Sequence, residues 1–253
     1  MRLNRVYVDA ALSAGSVVEL PAAAGQHLAK VLRVRGGEEI VLFTGDGREF
    51  GGTIESVRGS RVHAAVGEAS SVDRESPLAV TLVQCVARAD RMDVIVQKAT
   101  ELGVARIVPV LSRRSVVRLD AAQSESKAAH WRAIAVNACE QCGRNRLPEI
   151  EPARQLIDYL GAISPNGAGS PHPKLVLDPD YDGHGAAPAI RGAVEIAIGP
   201  EGGFDASELE AFRVSGFGAM RLGPRILRTE TAAIAALSWL QGRYGDLNAS
   251  HPP

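Results

Sequence analysis

A glycine-rich segment at residues 198–203, Ile-Gly-Pro-Glu-Gly-Gly, has the composition of a ligand-binding loop. It follows an apolar run that is typical of a buried strand and precedes a helix start, the position at which open α/β sheets bind ligands. Glycines let the backbone approach a ligand closely and free its N–H groups to donate. The segment lacks the G-x-G-x-x-G spacing of a dinucleotide site and the Lys-Ser/Thr pair of a P-loop. A ligand loop of another kind is therefore predicted, with a plain tight turn as the alternative.

A second segment, residues 222–230, repeats the order of strand, Gly-Pro turn and helix start. Loops that follow two strands of one sheet lie together, so we expect the two segments to form one site. Thr229 and Glu230 also fit an N-cap and a first-turn acid of the last helix. That alternative leaves Arg225 and Arg228 unexplained in so apolar a setting.

A third segment, residues 137–146, combines a C-x-x-C spacing with polar residues near a predicted helix end. Cys139 and Cys142 have no second cysteine pair and do not follow a strand, so neither a zinc site nor a redox site is predicted. The polar residues fall at helical spacing and are Asn137, Glu140, Gln141 and Arg144. They indicate either functional groups or a helix cap with a surface ion pair.

Composition restricts the classes of protein and partner. The 253 residues are 45% hydrophobic and 23% charged, which fits one large domain or two modest ones. The formal net charge of −1 excludes a strongly basic overall field, so any RNA contact must come from local clusters. Two such clusters are present, although a solvated face is the simpler interpretation. They are Lys30, Arg33 and Arg35, and Arg113, Arg114 and Arg118.

Cellular location is predicted from what the sequence lacks. The first residues contain no apolar stretch of a signal peptide, and no run is long enough to span a bilayer, so a cytoplasmic protein is expected. Three cysteines are too few for a disulfide framework in a chain of 253 residues. Reduced thiols are expected.

Turn signals and periodicity predict two domains. Residues 5–66 contain short apolar runs between glycine turns, which indicates a β-rich module, and the polar stretch 67–77 is a linker. Alternating strands and helices follow, which is the signature of an α/β domain. Predicted strands cover 78–86, 106–111, 174–177, 194–198 and 219–222. Predicted helices cover 92–102, 124–141, 153–160, 205–213 (with a capping box of Asp205 and Glu208) and 229–244, with a loop at 161–173 and a tail at 248–253.

The three segments, in this order, resemble the ribosomal RNA small subunit methyltransferase E family of the knotted SPOUT superfamily. The resemblance covers nearly the whole chain. Further matching positions are Arg5-Val6-Tyr7, His27-Leu28, Val31-Leu32-Arg33, Arg91-Met92, Gln97-Lys98 and Glu101-Leu102-Gly103. The chain departs from the family pattern at Asp178, where a histidine is common, and in the Gly-, Pro- and Ala-rich residues 161–190.

The resemblance implies an α/β fold class: a PUA-like β-barrel RNA-binding domain at 1–70, followed at 75–246 by a SPOUT α/β domain with a deep trefoil knot. It implies S-adenosylmethionine (SAM) as the cofactor and methylation of uridine N3 in 16S rRNA, within the 30S subunit. It also implies a homodimer whose active site takes residues from both subunits. The alternatives are a knotted methyltransferase for another RNA and a non-catalytic RNA-binding assembly factor.

The resemblance also assigns roles to residues, with no metal and no membrane contact. The implied catalytic groups are Arg228, Glu140 and Glu230. The implied cofactor-binding residues are Leu177, Ile198, Gly199, Pro200, Glu201, Gly202, Leu222, Gly223, Ile226, Leu227, Arg228 and Thr229. The expected RNA-binding residues are Arg5, Lys30, Arg33, Arg35, Arg144 and Arg146.

Overall fold

The chain forms two compact units in a computed structural model that describes residues 3–88, 90–163, 172–182 and 189–248. The first unit comprises Met1–Glu75 and Val136–Leu147, and the second comprises Ser76–Ala135 and Pro148–Pro253. The inclusion of residues 136–147 in the first unit differs from the two continuous domains predicted. Most of the predicted loop 161–173 and nearly all of the tail 248–253 lie outside the described residues.

The first unit is built on a five-stranded sheet in the order β1-β3-β4-β5-β2. The strands are β1 (Asn4–Tyr7), β2 (Val17–Glu19), β3 (Glu39–Phe43), β4 (Glu49–Arg58) and β5 (Arg61–Ser70). Side chains alternate along the strands, and Ile54 and Val62 enter the core. Because β5 continues to Ser70, the first part of the predicted linker is strand. Within residues 3–88, β1 and β2 lie at the two ends of this strand order and are not paired with each other.

A helical segment interrupts this β-rich unit, which the sequence interpretation did not anticipate. Helix α1 (Ala22–Gln26) continues into a π-helical turn, His27–Leu32. Arg33 ends the turn with a left-handed backbone (φ 54°), a conformation that costs energy for a residue with a Cβ. Lys30, Arg33 and Arg35 are exposed around this turn.

A sheet of parallel strands forms the centre of the second unit, in the order β12-β10-β11-β6-β7-β8, with β9 also paired to β7. The strands are β6 (Ala79–Cys85), β7 (Val104–Leu111), β8 (Glu149–Ile150), β9 (Arg154–Gln155), β10 (Lys174–Leu177), β11 (Ala193–Ile198) and β12 (Phe217–Met220). Residues of β6 alternate between two apolar cores: Leu82 lies in one and Val83 in the other. The sheet is thus buried on both faces, which explains its nearly continuous apolar runs and confirms the predicted α/β class.

In the part of the chain that the structure describes, the helices that follow β6 are α2 (Asp90–Glu101), α3 (Ala121–Cys142), α4 (Leu156–Ala162), α5 (Ala206–Val214) and α6 (Thr229–Tyr244). The predicted capping box of α5 and the bounds of α6 are confirmed. The predicted helix 153–160 was wrong at its start, because Arg154 and Gln155 pair with β7 before α4 begins. The predicted strand 219–222 was displaced by two residues, because pairing with β10 starts at Phe217.

The strand order sets the position of the candidate site. Strand β10 lies between β11 and β12, and all three are parallel, so their carboxyl ends meet at one edge of the sheet. The segments after Leu177, Ile198 and Met220 therefore lie side by side, as the sequence predicted for the last two. Among the helices that the structure describes, none has both the length and the apolar character to cross a bilayer.

Candidate active site at the ends of three parallel strands

A cavity of about 320 Å³ lies at this edge of the second unit, within the volume range of small-molecule sites. Three segments form its wall, one after each of β10, β11 and β12. All of the predicted cofactor-binding residues except Arg228 line it: Leu177, Ile198, Gly199, Pro200, Glu201, Gly202, Leu222, Gly223, Ile226, Leu227 and Thr229. The prediction did not include the other lining residues, Arg114, Asp178, Pro179, Asp180, Gly203, Phe204, Leu209, Arg221, Arg225 and Ala232.

Position along the strands could have identified several of the missed residues. Asp178 to Asp180 directly follow β10, and Arg114 lies three residues beyond the end of β7. Phe204, in contrast, belongs to the apolar cluster between the sheet and α5, and only its packing places it at the cavity. A residue just after a strand can be predicted to line the cavity from its position in the sequence. A residue that reaches the cavity through side-chain packing cannot be predicted in this way.

The glycine loop after β11 is held in one conformation by its own backbone and by Arg114. The Gly203 N–H donates to the Pro200 carbonyl at 2.9 Å and closes a turn. Gly203 has φ +66°, a left-handed value that a residue with a Cβ rarely adopts. Arg114 Nη1 donates to the Gly202 carbonyl at 3.0 Å. The loop is therefore shaped before any ligand arrives.

Glu201 sits in this loop, but its carboxylate is engaged by protein groups. Arg91 Nη1 donates to Glu201 Oε1 at 3.1 Å, and the Arg88 N–H is 3.3 Å from the same oxygen. Arg91 Nε also lies 4.0 Å from Glu230 Oε1. Arg91 thus links the glycine loop to the first turn of α6.

The segment after β12 supplies an apolar wall. Arg221 Nε donates to the Gly223 carbonyl at 3.0 Å, and Gly223 has φ +68°. Leu222 and Leu227 pack against the main core, which anchors both ends of the segment. Ile226 between them is 84% exposed while it lines the cavity. Its aliphatic surface is therefore available to an apolar group of a ligand in the cavity.

The first turn of α6 carries the remaining predicted groups of this unit. Arg228 is the N-cap residue, so the alternative in which Thr229 caps the helix was wrong; Glu230 does lie in the first turn. Thr229 Oγ1 instead donates to the Gly199 carbonyl at 2.8 Å. The Arg228 side chain is exposed and makes no side-chain hydrogen bond to the helix end. Glu230 Oε2 is buried without a hydrogen-bond partner among the described residues.

Glu140 belongs to the first unit, where its Oε1 accepts a hydrogen bond from the Tyr7 N–H at 3.0 Å. Burial raises the pKa of the Glu140 carboxyl, while the Tyr7 hydrogen bond and the positive charges of His27 and Arg5 act against that rise. A raised carboxyl pKa is a property of general acids and bases, although structural groups share it.

The predicted RNA-binding arginines fall into two groups. Arg5 is 6% exposed, with Nη1 2.7 Å from Glu49 Oε2, and Arg144 is 6% exposed and paired with Glu75 Oε2 at 2.5 Å. Both side chains stabilise the first unit, and a phosphate could reach them only if these pairs opened. Arg146 is exposed, as are Lys30, Arg33 and Arg35.

Two of the three thiols, Cys85 and Cys139, are not activated nucleophiles. Burial raises the pKa of Cys85 to about 12, so this thiol stays protonated near neutral pH. A hydrogen bond with Cys142 and burial raise the pKa of Cys139 well above its usual range. Within the described residues no group of three or more His, Cys, Asp or Glu side chains could hold a metal ion.

A second cavity in the same unit, of about 410 Å³, lies among the end of β7, α4 and α5. Arg113 and Arg118 of the second basic cluster line it, but none of the predicted catalytic or cofactor-binding residues does, and it contains neither the glycine loop nor the apolar segment after β12. The smaller cavity is therefore the candidate active site.

Two family models match the chain, one after the other in the sequence. A family model described as an RNA methyltransferase domain matches residues 74–241, and one described as an RNA methyltransferase PUA domain matches residues 20–66. A ribosomal RNA small subunit methyltransferase E from Buchnera aphidicola (Schizaphis graminum) is 31% identical over 98% of this chain and 99% of its own length. The same enzyme from Bacillus subtilis is 31% identical over 84% of each chain.

Two solved structures are similar over almost the whole chain. A methyltransferase from Legionella pneumophila with bound SAM has 39% identity and a TM-score of 0.87, covering 97% of this chain and all of its own. A ribosomal RNA small subunit methyltransferase E from Neisseria gonorrhoeae bound to SAM has 37% identity and a TM-score of 0.87, covering 98% of this chain and all of its own. Because a family model covers more than half of the chain and a relative with 31% identity covers 98% of it, the chain belongs to the ribosomal RNA small subunit methyltransferase E family.

Proposed function

We propose that this protein transfers a methyl group from SAM to N3 of a specific uridine in 16S rRNA of the 30S subunit. The observation that carries the proposal is the cavity of the second unit, formed by the three loops in which the family resemblance expects the cofactor. The relatives named small subunit methyltransferase E and the SAM-bound structures support the substrate class and the cofactor.

The residues around the cavity fit SAM. Ile226, Leu227 and Leu177 offer aliphatic surface for an adenine ring, and backbone groups of the glycine loop face the same space. Asp178 supplies a carboxylate, which suits a cationic ligand. When bound, SAM provides a methyl group activated by its positively charged sulfonium.

Arg228 is proposed to stabilise the charge that develops on the uracil. N3 carries a proton, so it becomes nucleophilic only when that proton leaves and negative charge spreads to O2 and O4. A guanidinium presents several donors in one plane and can contact two oxygens or a phosphate. Arg228 is exposed beside Thr229, which lines the cavity, and its side chain is not used to cap α6.

Glu230 is the better supported proton acceptor of the two candidates. Its Oε2 lacks a hydrogen-bond partner among the described residues, and it lies two positions from Arg228 in the first turn of α6. Glu140 Oε1 already accepts from the Tyr7 backbone, although Oε2 leaves it some acceptor capacity. We therefore propose that Glu230 takes the N3 proton, with Glu140 as the alternative.

Exposed basic residues of the first unit are proposed to hold the RNA backbone. Lys30, Arg33 and Arg35 surround one turn, and Arg146 is exposed in the same unit. Such contacts position the RNA without reading its sequence. Arg5 and Arg144 are proposed to act indirectly, by stabilising the unit that presents these four side chains.

The remaining features rest on the family resemblance. They are a PUA-like barrel at 1–70, a SPOUT domain at 75–246 with a trefoil knot, a homodimer with a shared active site, and a cytoplasmic location. The strand order, with β10 between two strands that follow it in the chain, supports the threaded topology. Sedimentation analysis of the purified protein tests the dimer directly.

The function is tested by separating cofactor binding from turnover in two arginine variants. Arg228→Ala is expected to bind SAM as the wild type does and to lose methyl transfer to 30S subunits. Arg213→Ala, which removes an exposed arginine paired with Glu210, is the matched control and should retain both. Normal turnover in Arg228→Ala would eliminate the proposed role of Arg228. Wild-type protein that binds SAM without any transfer would favour the assembly-factor alternative.

A further inference from the structure

A fully buried glutamine, Gln84, lies next to the candidate site without lining its cavity. It is 0% exposed, near the end of β6, and it pairs in register with Ile198, the last residue of β11. The glycine loop starts one residue later. Gln84 was not among the residues singled out from the sequence, because an isolated glutamine in an apolar strand carries no motif.

The hydrogen bonds of Gln84 fix the orientation of its amide. Nε2 donates to the Cys85 carbonyl at 2.9 Å and to Thr229 Oγ1 at 3.0 Å. A carbonyl can only accept, so the nitrogen and not the oxygen must face Cys85. Both protons of the Gln84 amide are then committed.

This commitment determines what the Thr229 hydroxyl does. A hydroxyl has one proton, and Thr229 Oγ1 already accepts from Gln84, so its own proton is free to be donated to the Gly199 carbonyl, 2.8 Å away. A directed chain therefore runs from Gln84 through Thr229 to Gly199. It joins β6, the first turn of α6 and the glycine loop.

We propose that Gln84 is a positioning residue, whose amide orients the Thr229 hydroxyl and thereby fixes the Gly199 carbonyl and the first turn of α6 around the cofactor. The inference rests on the proposed function, since it assumes that this cavity binds SAM. Gln84 itself touches neither cofactor nor RNA. It acts on two residues that line the cavity, Gly199 and Thr229.

A purely structural role explains the amide less well. Gln84 Oε1 is buried and has no hydrogen-bond partner among the described residues, so the amide is desolvated without full compensation. An apolar side chain of the same length would fill the space without that cost. What the amide adds is the direction of the hydrogen bonds to the site.

The test compares two fully buried glutamines in the same unit. Gln84→Met removes the amide that contacts Thr229. Gln241→Met removes the amide of another 0% exposed glutamine, whose Oε1 accepts from Ser76 Oγ at 2.6 Å at the far end of α6. Calorimetric SAM titration gives the dissociation constant, and thermal unfolding gives stability. Gln84→Asn, which keeps the amide but shortens the side chain, serves as a second variant if the methionine variant does not fold.

We expect Gln84→Met and Gln84→Asn to weaken SAM binding about tenfold, the effect of losing one oriented buried hydrogen bond. Gln241→Met should lower the melting temperature and leave SAM affinity unchanged. Thr229→Val should weaken binding, and adding Gln84→Met to it should weaken binding no further, because both changes break one chain. Three outcomes would overturn this inference and leave the proposed function standing. They are unchanged SAM affinity in both Gln84 variants, an equal loss of affinity in Gln241→Met, and multiplicative losses in the double variant. Absence of SAM binding by the wild type would overturn the proposed function with it.

Discussion

Ile226 offers a direct test of where the adenine ring of the cofactor binds. Its side chain is 84% exposed in the structure, so truncation to alanine removes little that the folded protein itself buries. If a ligand covers Ile226, the same truncation removes apolar contact only in the complex. The change Ile226→Ala should therefore weaken SAM binding without lowering the free energy of unfolding.

The size of the effect follows from the atoms removed. Isoleucine to alanine deletes three carbon atoms, each worth about 0.8 kcal/mol when fully buried, or about 2.4 kcal/mol in total. A ligand that covers half of this surface would contribute about 1.2 kcal/mol. With about 1.4 kcal/mol per factor of ten, the dissociation constant should rise roughly 7- to 50-fold.

Calorimetric titration with SAM and thermal unfolding are the assays. Ile157→Ala is the matched control, because Ile157 is 67% exposed on α4 in the same unit and does not line the candidate site. The control should keep both affinity and melting temperature. An unchanged dissociation constant in Ile226→Ala would show that the apolar wall after β12 does not contact the cofactor.

Three further outcomes test other parts of the structure. Gly203→Ala should destabilise the glycine loop by about 1–2 kcal/mol, because its φ of +66° is unfavourable for alanine, whereas Gly161→Ala in α4 should not destabilise the protein in the same thermal melts. Burial raises the pKa of Glu49, but hydrogen bonds from Arg5 and Arg74 outweigh it and hold that pKa below the usual 4.5. The stabilising contribution of Glu49 is therefore complete above about pH 4.5 and is lost as the pH falls below that value. In urea unfolding between pH 6 and 3, Glu49→Gln should lose less stability than the wild type, and parallel curves for the two proteins would refute the contribution. Arg33→Ala should make the slope of log binding constant against log salt concentration less steep by about 0.7–0.9, and an unchanged slope would exclude a phosphate contact of Arg33.

Local sequence signals predicted the elements that bear the site. The capping box of Asp205 and Glu208 identified the start of α5, and the apolar runs before Gly199 and Gly223 identified the strands whose ends form the cavity. These signals are local, because turn chemistry and periodicity act over a few residues. Pairing between distant strands is not local, and because of it α4 and β12 begin at other residues than those predicted.

Side-chain partners were the least predictable feature. Arg5 and Arg144 were expected at the RNA, yet each side chain is buried against a carboxylate brought to it by the fold. Gln84 went unnoticed because its importance depends on Thr229, which is 145 residues away in the chain. Neither the arginine–carboxylate pairs nor the hydrogen bond between Gln84 and Thr229 produces a pattern within one segment of the sequence.

A transfer assay with three RNA substrates tests the proposed methylation of small-subunit RNA. Labelled SAM is supplied with undermethylated 30S subunits, naked 16S rRNA and tRNA in parallel, and any product is mapped by nuclease digestion and mass spectrometry. We expect N3-methyluridine at one position of 16S rRNA, with the highest yield from 30S subunits. Label in tRNA alone, or on another atom of the base, would contradict it.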